Sequence, residues 1–168
     1  MKFNVVLLAV LGILLVQCKS SKSGSSSGGK VFKKQILLGV EVQSIELVKF
    51  PLYSKDGSKW DSMAPFATEP DVYVTMSQLG NTIYKSEVIE DCKGISAVGF
   101  KTGLPLEIRA YTNEVRLELF DEDGVSADDN VGYIIFRPID FEKKTSFELR
   151  SADNSTIVKL GVRWIYGE

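Results

Sequence analysis

The sequence predicts an all-β protein, an antiparallel sandwich of seven or eight short strands that follows a signal segment and a tether. Three observations lead to this prediction. After residue 30, apolar residues recur at every second position in several segments, which is the period of a half-buried strand. Clusters of Gly, Pro, Asn and Asp separate these segments, as turns require. No window after residue 30 sustains the 3.6-residue period of an amphipathic helix.

The strand segments can be justified in chain order. Val40 and Val42 are spaced by two, as are Ile45 and Leu47, but the phase slips by one residue at positions 43–44. A slip of this kind indicates a β-bulge. The other segments with strand composition are residues 71–76, 83–89, 106–111, 114–120, 133–137, 146–150 and 156–166. In residues 114–120 and 156–166 the apolar side chains fall on one face and charged side chains on the other.

Composition excludes several classes of function. The 168 residues contain 20 Lys and Arg against 22 Asp and Glu, a net charge of −2, and nothing in this balance favours nucleic acid. There is no histidine, which excludes His-dependent catalytic triads and His-based metal sites. Cys18 and Cys92 are the only cysteines, too few for a disulfide framework or a Cys-rich zinc site. We expect Cys92 to be an inert thiol and the protein not to be an enzyme.

The first residues have the layout of a secretion signal. Residues 1–17 place one lysine before an apolar run that is too short for a comfortable membrane span. The sequence LVQC at residues 15–18 resembles the lipobox of bacterial lipoproteins, with Leu15 three residues before Cys18, although Gln17 replaces the usual small residue. This resemblance implies that Cys18 is lipidated and becomes the mature N-terminus. An ordinary signal peptide or membrane anchor is the alternative.

A flexible tether follows the cysteine. Residues 19–30 consist mainly of Ser and Gly with no apolar residue, a composition that cannot form a core. We therefore predict a signal peptide at 1–17, a lipidated cysteine and tether at 18–30, and a folded domain at 31–168. Lys19 and Ser20 carry no acidic group, so the Asp-type signal that retains lipoproteins in the inner membrane is absent. We therefore expect the anchor to lie in the outer membrane, on its periplasmic or its surface face.

Residues 120–132, FDEDGVSADDNVG, gather five acidic side chains. Asp121 and Asp123 leave a strand with spacing two and share a side, and the loop returns at Asp128 and Asp129. Carboxylates brought together without a cation raise one another's pKa values, which costs stability. A Ca²⁺ ion, which accepts six to eight oxygen ligands, removes that cost. An EF-hand is excluded because Gly124 stands at the fourth position of the loop instead of the sixth. A solvated acidic turn is the alternative.

A second acidic segment lies at residues 53–71 and ends in DVYV at 71–74. The chain from about residue 38 to 166 resembles a C2 domain, the eight-stranded sandwich that binds calcium and phospholipid through loops at one end. The first calcium loop of that family ends in a strand start like Asp-Pro-Tyr-Val, which residues 71–74 match with Val72 in place of the proline. Its third loop has the spacing of Asp121, Asp123 and Asp129 before Gly132, and VKLGVRWIY resembles its final strand.

The resemblance implies an eight-stranded antiparallel sandwich and a Ca²⁺ site. The ligands it implies are Asp71, Asp121, Asp123 and Asp129, with Asp61 or Asp56 completing the set; Asp61 is favoured. Pro65 stands where the family usually has a further aspartate, and the first loop is longer. Asp128 is held in reserve, while strand alternation turns Glu122 away from the site.

The first loop also carries large apolar side chains at Trp60, Met63 and Phe66. Aromatic side chains suit the headgroup boundary of a membrane, so these three are candidates for membrane contact. The alternative is that Trp60 and Phe66 fold back and cap the sandwich. We therefore expect a lipid-anchored envelope protein whose domain binds Ca²⁺ and engages anionic phospholipid or an acidic partner. A metal-independent interaction module is the alternative.

Overall fold

The computed structural model describes residues 35–54, 57–60, 69–93, 96–123 and 127–168. These residues form two packed antiparallel sheets. The strands are β1 (Ile36–Lys49), β2 (Val72–Gln78), β3 (Asn81–Lys85), β4 (Val98–Phe100), β5 (Leu106–Ile108), β6 (Val115–Asp121), β7 (Asp129–Phe136), β8 (Ser146–Arg150) and β9 (Ile157–Gly167). Within these ranges the only helical element is a 3₁₀ turn at Pro138–Phe141.

The first sheet has the order β4-β1-β9-β8, and the second has the order β3-β2-β6-β7. Strands β4 and β5 both pair with β1, β4 along Ile45–Leu47 and β5 along Val40–Val42. They therefore occupy consecutive parts of one strand position. With these two counted together, the described residues form eight strand positions. The predicted antiparallel β-sandwich is confirmed.

The phase slip in β1 is a bulge, as predicted. Val40, Val42, Ile45 and Leu47 are all buried, and the pairing of β1 with β9 shifts register between Val42 and Ser44. Gly161 lies opposite Ser44, and a Cβ atom at Gly161 would overlap the Ser44 Oγ. The absence of a side chain at Gly161 therefore makes room for the Ser44 hydroxyl.

The core lies between the inner faces of the two sheets. Val115, Leu117 and Leu119 alternate along β6 and are fully buried, and Leu160 of β9 is buried in the opposite sheet. Burying a side chain of this size contributes about 1.5–3 kcal/mol. The strands and the buried core lie within the unit Lys33–Glu168, so a chain that begins at residue 18 retains the whole sandwich.

Several strand boundaries differ from the prediction. The segment predicted at 83–89 is strand only to Lys85, although Ile89 makes an isolated bridge with Val72. The segment predicted at 106–111 ends at Ile108, and the one predicted to begin at residue 133 begins at Asp129. The three-residue strand at Val98–Phe100 was not predicted. In the described part of the chain, no helix is long and apolar enough to cross a membrane.

The two ends of the sandwich are distinguished by contacts between the sheets. A Cβ atom on Gly132, near the start of β7, would lie 3.1 Å from Thr156 Oγ1, just before β9. The end of β1, where Lys49 pairs with Ile157, therefore lies at the same end as the last residues of β6. We call this the acidic end, defined by Asp71, Asp121, Asp123, Asp128 and Asp129.

The start of β1 lies at the other end. The Tyr111 hydroxyl donates to the Leu37 carbonyl at 2.9 Å, and the Gln78 amide donates to the neighbouring Ala110 carbonyl at 2.9 Å. Gln78 pairs with Val115 at the start of β6. Ile36 and Asp121 are thus at opposite ends of the sandwich.

Candidate functional site

Asp71 and Asp121 are brought together by the pairing of β2 with β6. Val72 opposes Asp121 in this register, and Asp121 continues the buried alternation of β6 with 0% exposure. Its Oδ1 accepts a hydrogen bond from the Asp71 N–H at 2.8 Å. The Glu122 N–H donates in turn to the Asp71 carbonyl at 2.7 Å. The two acidic segments found in the sequence therefore meet directly.

A third segment joins them through the Asp71 side chain. Asp71 Oδ1 accepts the Asp91 N–H at 2.7 Å, and the Cys92 N–H donates to the Pro70 carbonyl at 2.8 Å. Asp91 has a φ of +50°, a left-handed conformation that Asp tolerates better than most residues. Cys92 itself is buried. Nothing in the sequence of residues 90–93 indicates a contact with Asp71.

Asp128 closes the loop between β6 and β7. Its Oδ2 accepts the Tyr73 hydroxyl at 2.6 Å, and its Oδ1 accepts the Asp123 N–H at 3.3 Å. The hydrogen bond from Tyr73, with that from Asp123, holds the pKa of the Asp128 carboxyl below its usual range. Burial and the bond to Asp128 raise the pKa of the Tyr73 hydroxyl. Asp128, which the sequence ranked only as a reserve ligand, therefore accepts two hydrogen bonds that hold this loop.

The Tyr73 ring is fixed on the outer face of the second sheet. It stacks on Phe120 with ring centroids 5.2 Å apart, and the Lys85 ammonium lies 4.1 Å from its centroid. These contacts orient the hydroxyl toward Asp128. Tyr73 belongs to the DVYV sequence at residues 71–74. No pattern in the sequence indicates that its hydrogen-bond partner is Asp128, 55 residues away.

The remaining predicted ligands lie at the surface or outside the described residues. Asp129 is exposed at the first position of β7 and pairs through its backbone with Asp121, whereas Asp123 is half-exposed. The predicted residues that lie outside the described ranges are Asp56, Asp61, Met63, Phe66 and Cys18.

Trp60 is half-buried and packs against the core. Its Nε1 donates to the Pro51 carbonyl at 2.8 Å. Trp60 therefore folds back onto the sandwich, whereas Phe66, the other residue of the capping alternative, lies outside the described residues.

The donor chemistry of the acidic end is that of a hard cation site, because it consists of carboxylate and carbonyl oxygens. Among the described residues, however, no three acidic or sulfur side chains are grouped closely enough to hold a metal ion. Asp71 and Asp128 use the oxygens named above to accept N–H and O–H donors.

Comparison with models of known protein families and with curated proteins finds no match. Solved structures similar to this chain include a C2 domain, at 13% identity and a TM-score of 0.48, covering 75% of this chain and 96% of that one. Human GIVD cytosolic phospholipase A2, with an inhibitor and terbium chloride, is 16% identical with a TM-score of 0.49, over 80% of this chain and 18% of that one. The calcium-bound tandem C2 domains of Extended-Synaptotagmin 2 are 21% identical with a TM-score of 0.39, over 79% of this chain and 47% of that one.

The identities are below 25% and the TM-scores below 0.5, so the antiparallel β-sandwich is shown by the two sheets of this chain itself.

Proposed function

We propose that this protein is a lipid-anchored envelope protein whose sandwich binds Ca²⁺ at the acidic end. The observation that carries the proposal is the contact between the two acidic segments. The Asp71 N–H donates to Asp121 Oδ1 at 2.8 Å, although the residues are 50 positions apart in the chain. The loop that carries Asp123 and Asp129 is attached to the same strand end.

A cation at this end would relieve repulsion among the carboxylates. Asp123 and Asp129 are not fully buried and are therefore accessible to a cation from solution. Hard oxygen ligands favour Ca²⁺ over the softer transition metals. Asp61 or Asp56 would supply a further ligand from the first loop. Binding would make the acidic end less negative and favour contact with anionic phospholipid or an acidic protein.

The anchor in this proposal is Cys18. Residues 1–17 would direct export, Cys18 would carry the lipid, and residues 19–30 would tether the sandwich to the outer membrane. Mass spectrometry of the protein from a bacterial host that processes lipoproteins measures this directly. We expect a chain that begins at Cys18 with an added lipid mass. A mature chain that begins elsewhere, or an unmodified cysteine, would rule out the anchor.

Calcium binding is tested by thermal melting of residues 18–168 with Cys18→Ser. We expect the melting temperature to rise with millimolar Ca²⁺, because a ligand at 100 times its Kd stabilises the folded state by about 2.7 kcal/mol. The double variant Asp123→Asn, Asp129→Asn should lose this rise. The matched control is Glu114→Gln, an exposed carboxylate just before the other end of β6, and it should keep the rise. An unchanged wild-type melting temperature would exclude the metal.

A second function is favoured by a specific observation. Asp71 and Asp128 accept hydrogen bonds from the protein's own donors, so these carboxylates also serve to hold the loops in a fixed arrangement. Such an arrangement suits a metal-independent module that docks a protein partner in the envelope. Partner binding that persists in EDTA and in the Asp123→Asn, Asp129→Asn variant would favour this function over calcium binding.

A further inference from the structure

Strand β7 lies at the edge of the second sheet and exposes two large apolar side chains. It pairs with β6 on one side, and among the described residues no strand pairs with its other side. Tyr133 and Ile135 are each 50% exposed, and they oppose Glu118 and Arg116 on the outer face of the sheet. An eight-residue edge strand of this kind offers its unpaired backbone N–H and C=O groups to another strand.

Strand β8 is the matching edge of the first sheet and lies beside β7. Among the described strands it pairs only with β9, and the rings of Phe136 on β7 and Phe147 on β8 have centroids 6.3 Å apart. β7 begins at the acidic end and β8 ends there, so the two strands run in opposite directions. Two residues from the Phe136–Phe147 contact toward the acidic end, Ile134 and Leu149 therefore stand at the same height. We call these two edges the open side, made of residues 132–136 and 148–150.

The sequence of β7 is complementary to a second copy of itself. Two identical strands that pair antiparallel are related by a two-fold axis, so that residue i opposes residue j and j opposes i. With the axis at Ile134, Tyr133 of each copy lies opposite Ile135 of the other, on the outer face. Aromatic side chains opposite β-branched ones stabilise an antiparallel pair. A register one residue away would set the outer-facing Tyr133 against the buried, inner-facing Ile134, which strand alternation does not allow.

The same axis brings opposite charges together at β8. It passes Leu149, so Glu148 of each copy faces Arg150 of the other. Within one chain the two exposed groups already form an ion pair at 2.7 Å, and across the axis the four charges alternate in sign. An axis at Arg150 or at Glu148 would instead set that residue against its own copy, and like charges directly opposite destabilise a pair. The charges of β8 therefore select the same axis as the apolar side chains of β7.

We propose that the open side binds a second copy of this chain, with β7 paired to β7 about a two-fold axis at Ile134. The four strands of the second sheet then continue across the axis into those of the other copy. The self-complementary register is what favours a second copy over a strand from another protein. The pairing involves neither the acidic end nor Cys18, so it is independent of the proposed function and can be tested without calcium or lipid.

The experiment is sedimentation equilibrium of residues 18–168 with Cys18→Ser, in EDTA, from about 1 μM to about 1 mM, the range in which weak dimers dissociate. We expect the mass of two chains at high concentration and of one chain on dilution. Tyr133→Ser, Ile135→Ser should weaken the dimer by about tenfold or more, because both apolar pairs are lost. Ile36→Ser is the matched control, since Ile36 is equally exposed on β1, which does not border the open side, and should leave the dimer unchanged. A wild type that stays monomeric throughout, or a double variant that dimerises as strongly, would overturn the proposal.

Charge reversal on β8 tests the register and the identity of the partner together. Glu148→Arg faces Arg150 of an identical copy, and Arg150→Glu faces Glu148 of an identical copy, so each variant alone should dimerise roughly tenfold more weakly. An equimolar mixture of the two variants sets opposite charges against each other at both positions and should regain the mass of two chains. Thermal melting of each variant confirms that it is folded. Single variants that dimerise as strongly as the wild type, or a mixture no stronger than its components, would overturn the two-fold pairing.

Discussion

Replacing Asp121 separates its structural role from its proposed role as a calcium ligand. Asp121→Ala removes the acceptor of the Asp71 N–H, at a position with 0% exposure and an N–O distance of 2.8 Å. A hydrogen bond to an ionised group contributes about 1.5–3 kcal/mol, and we expect a loss of that size in EDTA. At about 2–4 °C per kcal/mol for a domain of this length, the melting temperature should fall by roughly 3–12 °C.

Asp121→Asn gives a different pattern, because the amide keeps an oxygen that can accept the Asp71 N–H. We expect it to lose less than half as much stability in EDTA as the Ala variant. It should nevertheless lose the calcium-dependent rise in melting temperature, since the charge is gone. Thermal melts of both variants with EDTA and with Ca²⁺ measure the two effects. Equal destabilisation by Asn and Ala would refute the role assigned to the hydrogen bond.

Two further predictions concern hydrogen bonds that hold the second sheet. Ser86 Oγ accepts the buried Val74 N–H at 2.9 Å, so Ser86→Ala should cost about 1–3 kcal/mol in urea denaturation; the half-buried Ser77→Ala is the control, and equal losses would contradict the reasoning. The hydrogen bond from Tyr73 lowers the pKa of the Asp128 carboxyl. The stability that this bond contributes is therefore present above the unfolded pKa of about 3.9, and it is lost as pH falls through the lower folded pKa. Tyr73→Phe should therefore be most destabilising at neutral pH, with the difference from wild type shrinking below about pH 4; a difference that does not change with pH would contradict this.

The fold was predictable where side chains alternate for long enough. Residues 114–120 place Val115, Leu117 and Leu119 in one phase, and the structure buries all three. The slip at 43–44 could be located because apolar pairs flank it on both sides. Strand β4 could not be predicted, since Val98–Phe100 spans three residues and no alternation is readable over that length.

The candidate site was only partly predictable. Asp121 lies in phase with the buried residues of β6, so its burial was implied by the same alternation that predicted the strand. The contact of Asp71 with Asp91 and that of Tyr73 with Asp128 join residues 20 and 55 positions apart. Such pairs depend on which strands lie side by side, and local spacing carries no information about that. Spacing alone therefore ranked Asp129 above Asp128 as a calcium ligand. It gave no sign that Asp128 holds the loop by hydrogen bonds from Tyr73 and Asp123.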